Sequence, residues 1–155
     1  MTTTYQVKLA VTLRPVWHSD PPQIKIGVDD VLSDVILTET TTFNFDVDAV
    51  DKCKLIIEFL NKTDQDTIPE QNLDKAVVIE SIDFFGISDP RFVWSGIYEP
   101  TYPEPWATEQ RDLGVILIPQ LSNTTYLAWN GKWTLTFDVP VFTWIHKVQD
   151  LGWIY

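Results

Sequence analysis

The chain has 155 residues, enough for one domain with a real core, and 45% of them are apolar, so it folds instead of remaining disordered. The formal net charge is −11 and the pI about 4.3, a surface that repels phosphate backbones and anionic membranes and so excludes nucleic acid and membrane as partners. A single cysteine rules out an internal disulfide; no apolar run reaches the ~18 residues a membrane helix needs, and the N-terminus reads as lacking a signal peptide.

In chain order, YQVKLAVTLR comes first. Tyr5, Val7, Leu9, Val11 and Leu13 share one face, and Gln6, Lys8, Thr12 and Arg14 the other, which predicts a half-buried strand. PVWHSDPP breaks it, since prolines cannot continue a central strand. QIKIGVDDVLSDVIL predicts a hairpin turning near Asp29-Asp30, and TTFNFDV a strand through Phe43, Phe45 and Val47. DAVDK is a turn. CKLIIEFL is the next strand, with Cys53 a buried structural thiol. AVVIESIDFFGI follows across an acidic loop.

Beyond residue 88 the texture changes. DPRFVWSGIYEPTYPEPW predicts an extended, partly polyproline surface segment with aromatic rings held outward. GVILIP predicts a short strand, and NTTYLAWNGKWTLTFDV a hairpin around Asn130-Gly131. The end, VFTWIHKVQDLGWIY, stays apolar to the last residue. Solvated tails do not, so residues from about 140 to 155 are expected to dock on the core or on a neighbouring subunit. The interface candidates are Trp144, Ile145, Trp153, Ile154 and Tyr155. No window shows a clear helical period. The expectation is a single all-β domain, an antiparallel β-sandwich of jelly-roll type.

Signals for catalysis are scarce. His18 and His146 have no histidine or cysteine at metal-ligand spacing, and there is no nucleophile elbow, P-loop or dinucleotide fingerprint. The chain therefore reads as a non-enzyme, with a small hydrolase the least favoured alternative. Seven tryptophans suggest contact surfaces where they fall in loops. Trp17, Trp94, Tyr98, Tyr102 and Trp106 are the candidate platforms for stacking on sugar rings. In the loop NKTDQDTIPEQNLDK, calcium would find oxygens at Asn61, Asp64, Asp66 and Asp74, without the spacing of an EF-hand.

Four segments carry a resemblance: IKIGVDDVLSDVIL, TTFNFDV, IIEFLNK and DKAVVIESIDFFG. In that order they resemble the calcium-dependent xylan-binding type of carbohydrate-binding module, over about residues 5 to 86. The resemblance implies a small β-sandwich in which calcium bridges protein and sugar hydroxyls. Asn61, Asp74, Lys75 and Glu80 match the family's motifs. Lys62 stands where the family has an acid, and Ala76 where it has an asparagine. A retained scaffold with a lost or altered calcium site is the expectation. Residues 88 to 155, with WSGIYEPTYPEPW and the aromatic terminus, resemble accessory structural proteins of tailed phages of marine bacteria, cyanobacteria especially. That resemblance implies a decoration-type virion protein whose partners are other virion proteins, copies of itself and a host-surface glycan. A free-standing calcium-dependent carbohydrate-binding module is the alternative.

Overall fold

The computed structural model describes residues 3 to 148, without the side chains of Asp64, Lys147 and Val148. Two antiparallel sheets face each other. The first contains β1 (Tyr5–Val16), β4 (Thr41–Ala49), β6 (Ala76–Phe84), β7 (Ile87–Ser88) and β10 (Tyr126–Leu127). It runs in the order β10-β6-β1-β4, with β7 added to β6. The second contains β2 (Gln23–Val28), β3 (Val31–Ile36), β5 (Lys52–Phe59), β8 (Ile97–Pro100), β9 (Leu121–Ser122) and β11 (Gly131–Asp138), in the order β3-β2-β5-β11-β8-β9. The molecule is an all-β sandwich.

The alternation in the sequence sets the inner faces. Val7, Leu9, Val11 and Leu13 point inward from β1. Ile24, Ile26 and Val28 of β2, Cys53, Leu55, Ile57 and Phe59 of β5, and Trp133, Leu135 and Phe137 of β11 meet them. Each fully buried aliphatic or aromatic side chain contributes about 1.5–3 kcal/mol. The β2–β3 hairpin turns at Asp29-Asp30, with Val28 opposite Val31 and Asp29 at φ 56°.

Three expectations are corrected. The segment around Asn130-Gly131 is no hairpin: Tyr126 and Leu127 pair with β6 in one sheet, while Gly131 onward pairs with β5 and β8 in the other. The chain crosses between sheets there, because Leu127 and Trp133 fill opposite sides of the core. GVILIP forms no strand; Leu113, Val115, Ile116 and Ile118 lie exposed in an irregular segment. Residues Ile97–Pro100, expected as a surface segment, form β8, paired with β11 from Ile97↔Thr134 to Pro100↔Gly131.

Three short helices also occur: α1 (Pro90–Trp94), α2 (Trp106–Asp112) and α3 (Val141–Val148). They were missed because α1 and α2 are too short to display a period and α3 shows barely two turns of one. The Asp89 carboxylate caps α1, accepting from Arg91 N–H at 2.9 Å. Phe92 of α1 and Trp144 of α3 close one end of the sandwich over Phe84, with ring centroids 5.2 and 5.8 Å from it. Among the described residues no helix is long and apolar enough to cross a membrane.

Candidate functional site

The acidic loop leaves β5 of the second sheet at Leu60 and enters β6 of the first at Ala76. It folds through two 3-10 turns, Asp64–Asp66 and Pro69–Gln71. Asn61 pins its start. The amide Oδ1 accepts from Gln23 N–H at 2.7 Å, and Nδ2 donates to the Pro21 carbonyl at 3.0 Å. Asn130 clamps the next residue in the same way, accepting from Lys62 N–H at 2.7 Å and donating to the Lys62 carbonyl at 3.0 Å. Both amides thus satisfy backbone groups that have left the ladder.

Two lysines from this loop are buried, Lys62 at 7% exposure and Lys75 at 2%. Their ammonium groups take the carboxylates. Lys62 Nζ donates to Asp74 Oδ1 at 2.6 Å and to the Lys75 carbonyl at 2.7 Å, and lies 5.6 Å from the centre of the Trp129 ring. Lys75 Nζ meets Asp20 Oδ1 at 2.9 Å, the Asn61 carbonyl at 3.1 Å and Asp66 Oδ2 at 3.3 Å.

Asp74 is the hub. It accepts from Lys62, from Thr67 Oγ1 at 2.7 Å, from Lys75 N–H at 2.8 Å and from the Tyr126 hydroxyl at 2.6 Å. Burial pushes its carboxyl up, but the hydrogen bonds from Lys62, Tyr126, Thr67 and Lys75 N–H outweigh burial and hold it below the usual carboxylate range. Burial and the bond to Asp74 push the Tyr126 phenol up. Asp66 accepts from Thr63 N–H at 2.8 Å and Thr63 Oγ1 at 3.1 Å, and His18 Nε2 sits 2.7 Å from its carbonyl.

Of the calcium candidates, Asn61, Asp66 and Asp74 therefore lie close together; the Asp64 side chain lies outside the described residues. Calcium needs six to eight free oxygens. Here both Asn61 amide atoms are spent on backbone, and ammonium groups hold Asp66 and Asp74. Among the described residues no group of three or more histidine, cysteine or acidic side chains could hold a metal. The described side chains do not fit a calcium ion.

The predicted aromatic platforms scatter. Tyr98 is 1% exposed; its ring enters the core and its hydroxyl donates to the Trp129 carbonyl. It sits on an inward position of β8, opposite Trp133, so it cannot present a ring to solvent. Tyr102 and Trp106 come together with Trp129, at ring-centroid distances of 6.1 and 4.9 Å from it, so these half-buried faces largely cover one another. Trp17 and Trp94 are 40% and 48% exposed on separate elements. Trp144 and Ile145, expected at an interface, are 4% and 0% exposed in the chain's own core. With Val141 they form the i, i+3, i+4 inner stripe of α3. Trp153, Ile154 and Tyr155 lie outside the described residues.

A site absent from the sequence reading lies on the outer face of the first sheet. An open groove of about 710 Å³ runs over β4, β1 and the β6–β7 turn. Its floor is Ala10, with Asn44 opposite on β4 and Asp83 opposite on β6. The small methyl group between two longer side chains makes the depression. Lys8 lies opposite Asp46, and Gln6 Nε2 donates to Asp46 Oδ1 at 3.1 Å. At one end Phe85, with φ 53°, hydrogen-bonds through its N–H to the Lys8 carbonyl at 2.9 Å and packs on Phe142 at 5.2 Å. The groove thus offers an amide, an ammonium group, two carboxylates and an aromatic ring. Asp46 and Asp83 stand two strands and two residues apart, roughly 12 Å between Cα atoms from standard strand spacings. Sequence alternation placed Lys8 outward, but the partners across the strands are set by register.

No protein-family model matches the chain, and no curated protein does. Among solved structures, a vCBM60 module in complex with galactobiose aligns with a TM-score of 0.49 and 12% identity, over 83% of this chain and 96% of its own. A selenomethionine form of vCBM60, from work linking two families of calcium-dependent carbohydrate-binding modules by circular permutation, aligns with a TM-score of 0.49 and 11% identity, over 86% and 90%. At that distance the likeness assigns this chain neither ligand nor metal.

Proposed function

We infer that the chain is a non-catalytic recognition domain that takes a glycan in the groove over β4, β1 and β6. The carrying observation is the groove itself: fixed polar groups of both senses around the apolar Ala10 floor, with Phe85 at one end. Sugars need that mixture, because each hydroxyl both donates and accepts while the ring's CH face prefers an aromatic neighbour. The test is a glycan array followed by calorimetry on the full chain, Asn44→Ala and Ala10→Phe. Asn44→Ala should weaken a retained glycan about tenfold, and Ala10→Phe should abolish binding at unchanged melting temperature. No glycan retained by the wild-type chain sinks the reading. Binding that survives Ala10→Phe but fails in Trp17→Ala or Trp94→Ala moves the site to the exposed tryptophans.

A second reading, an accessory structural component that packs on copies of itself, rests on the exposed apolar run at Leu113, Val115, Ile116 and Ile118. Runs of that kind usually mark a contact surface. In this reading the run packs on another copy, so sedimentation at micromolar concentration shows an oligomer that Ile116→Asp dissociates. A monomer at every concentration counts against it.

A further inference from the structure

We propose that Lys75, assisted by Lys62, is a built-in cation that orders the acidic loop, doing covalently what a bound divalent metal would do there. Three observations carry this. First, Lys75 Nζ is at the meeting point of three oxygens from two loops: Asp20 of the β1–β2 loop at 2.9 Å, and from the acidic loop the Asn61 carbonyl at its start at 3.1 Å and Asp66 of the first 3-10 turn at 3.3 Å. An ammonium group has three donors, and three oxygens stand around this one, two of them from carboxylates. Cross-linking chain segments through oxygens around one positive centre is what a structural metal does.

Second, the side chain is 2% exposed and still charged oxygens surround it. A buried ammonium persists only with such compensation, since desolvating an unpaired charge costs several kcal/mol. Third, the charges balance as they would around one divalent ion. Lys62 and Lys75 together carry +2, and they face three carboxylates, Asp20, Asp66 and Asp74. The remainder is −1, the same as a calcium ion among three carboxylates. Lys62 also ties the two halves together, since its ammonium group donates to the Lys75 carbonyl at 2.7 Å. The loop is therefore metal-independent, and Lys75 marks the position where removing the ammonium group leaves an empty oxygen-lined space. This inference does not rest on the glycan reading.

The test is thermal melting of the full-length wild-type chain, Lys75→Ala and Lys75→Met, each in chelator, in calcium chloride, and in methylammonium chloride at matched ionic strength. The wild-type midpoint should be the same in all three. Lys75→Ala should melt several degrees lower in chelator and regain a few degrees with calcium or methylammonium, because a ligand of the folded state stabilises it by mass action. Lys75→Met refills the space with carbon and should not respond to either cation. A wild-type midpoint that rises with calcium overturns the proposal. So does a Lys75→Ala chain that responds to no cation. Should Lys75→Ala fail to fold in every buffer, Asp20→Asn, altered on an exposed loop, serves instead: it keeps the proposal only if the amide of Lys75 or Asn61 loses hydrogen-exchange protection. Unchanged protection there overturns it.

Discussion

Replacing Asp74 by alanine strands the Lys62 ammonium group. The lysine side chain is 3% exposed and would keep only the Lys75 carbonyl and the Trp129 face. Removing one partner of a buried ion pair costs about 3–5 kcal/mol. Water reaches Asp74, whose side chain is 25% exposed, so the low end applies and the loss is about 3 kcal/mol. For a chain of this size that lowers the melting temperature by about 6–12 °C. Urea unfolding followed by tryptophan fluorescence at pH 7 measures it. The Lys62→Met, Asp74→Ala double variant should recover part of the loss, since no charge is then stranded.

The pH dependence gives an independent check. Asp74 is held below its ordinary value of 3.8, so its contribution is complete above that value and disappears as pH falls through the lower, folded value. The stability gap between wild type and Asp74→Ala should therefore be constant from neutral pH down to about 5 and close below about 4. A gap under about 1 kcal/mol at pH 7, or one unchanged in acid, would refute the assignment of Asp74 as hub.

Gly96→Ala should destabilise the fold by about 3 kcal/mol, because the added Cβ would lie 2.1 Å from Cζ2 of Trp133, which is 0% exposed and has no room to retreat. Urea unfolding reads this too, and a loss under about 0.5 kcal/mol contradicts the packing. Cys53 should resist thiol reagents at pH 8 in the native chain and react at once in denaturant. Burial, with Asp29 beside the sulfur at 3.8 Å, pushes its thiol up to about 11. Immediate stoichiometric labelling of the folded chain would contradict its burial.

What sequence could reveal followed period. Strands with a strict two-residue alternation, such as Val7-Leu9-Val11-Leu13 and Trp133-Leu135-Phe137, declared their inner face, because pleating alone fixes which side each residue takes, although β1 runs through Pro15 to Val16, past the break expected at PVWHSDPP. The turn at Asp29-Asp30 was equally legible, since local backbone chemistry fixes it. Short elements and exposed runs were not. GVILIP looks like a strand because apolar content suggests burial, yet no neighbouring strand takes it up.

The acidic loop shows the division most clearly. Its oxygens were visible in the sequence, and so was the lysine at 62 in place of an acid. What decided the chemistry was that the chain brought Asp20 of the β1–β2 loop onto Lys75 and turned both loop lysines inward against Asp66 and Asp74. The groove has the same origin: Asn44, Ala10 and Asp83 lie far apart in sequence and side by side in register. The sequence by itself determined the sandwich and its acidic loop, through local propensity and burial. Only tertiary structure decided that lysines fill the loop and that Ala10 floors a groove, because long-range pairing brings those side chains together.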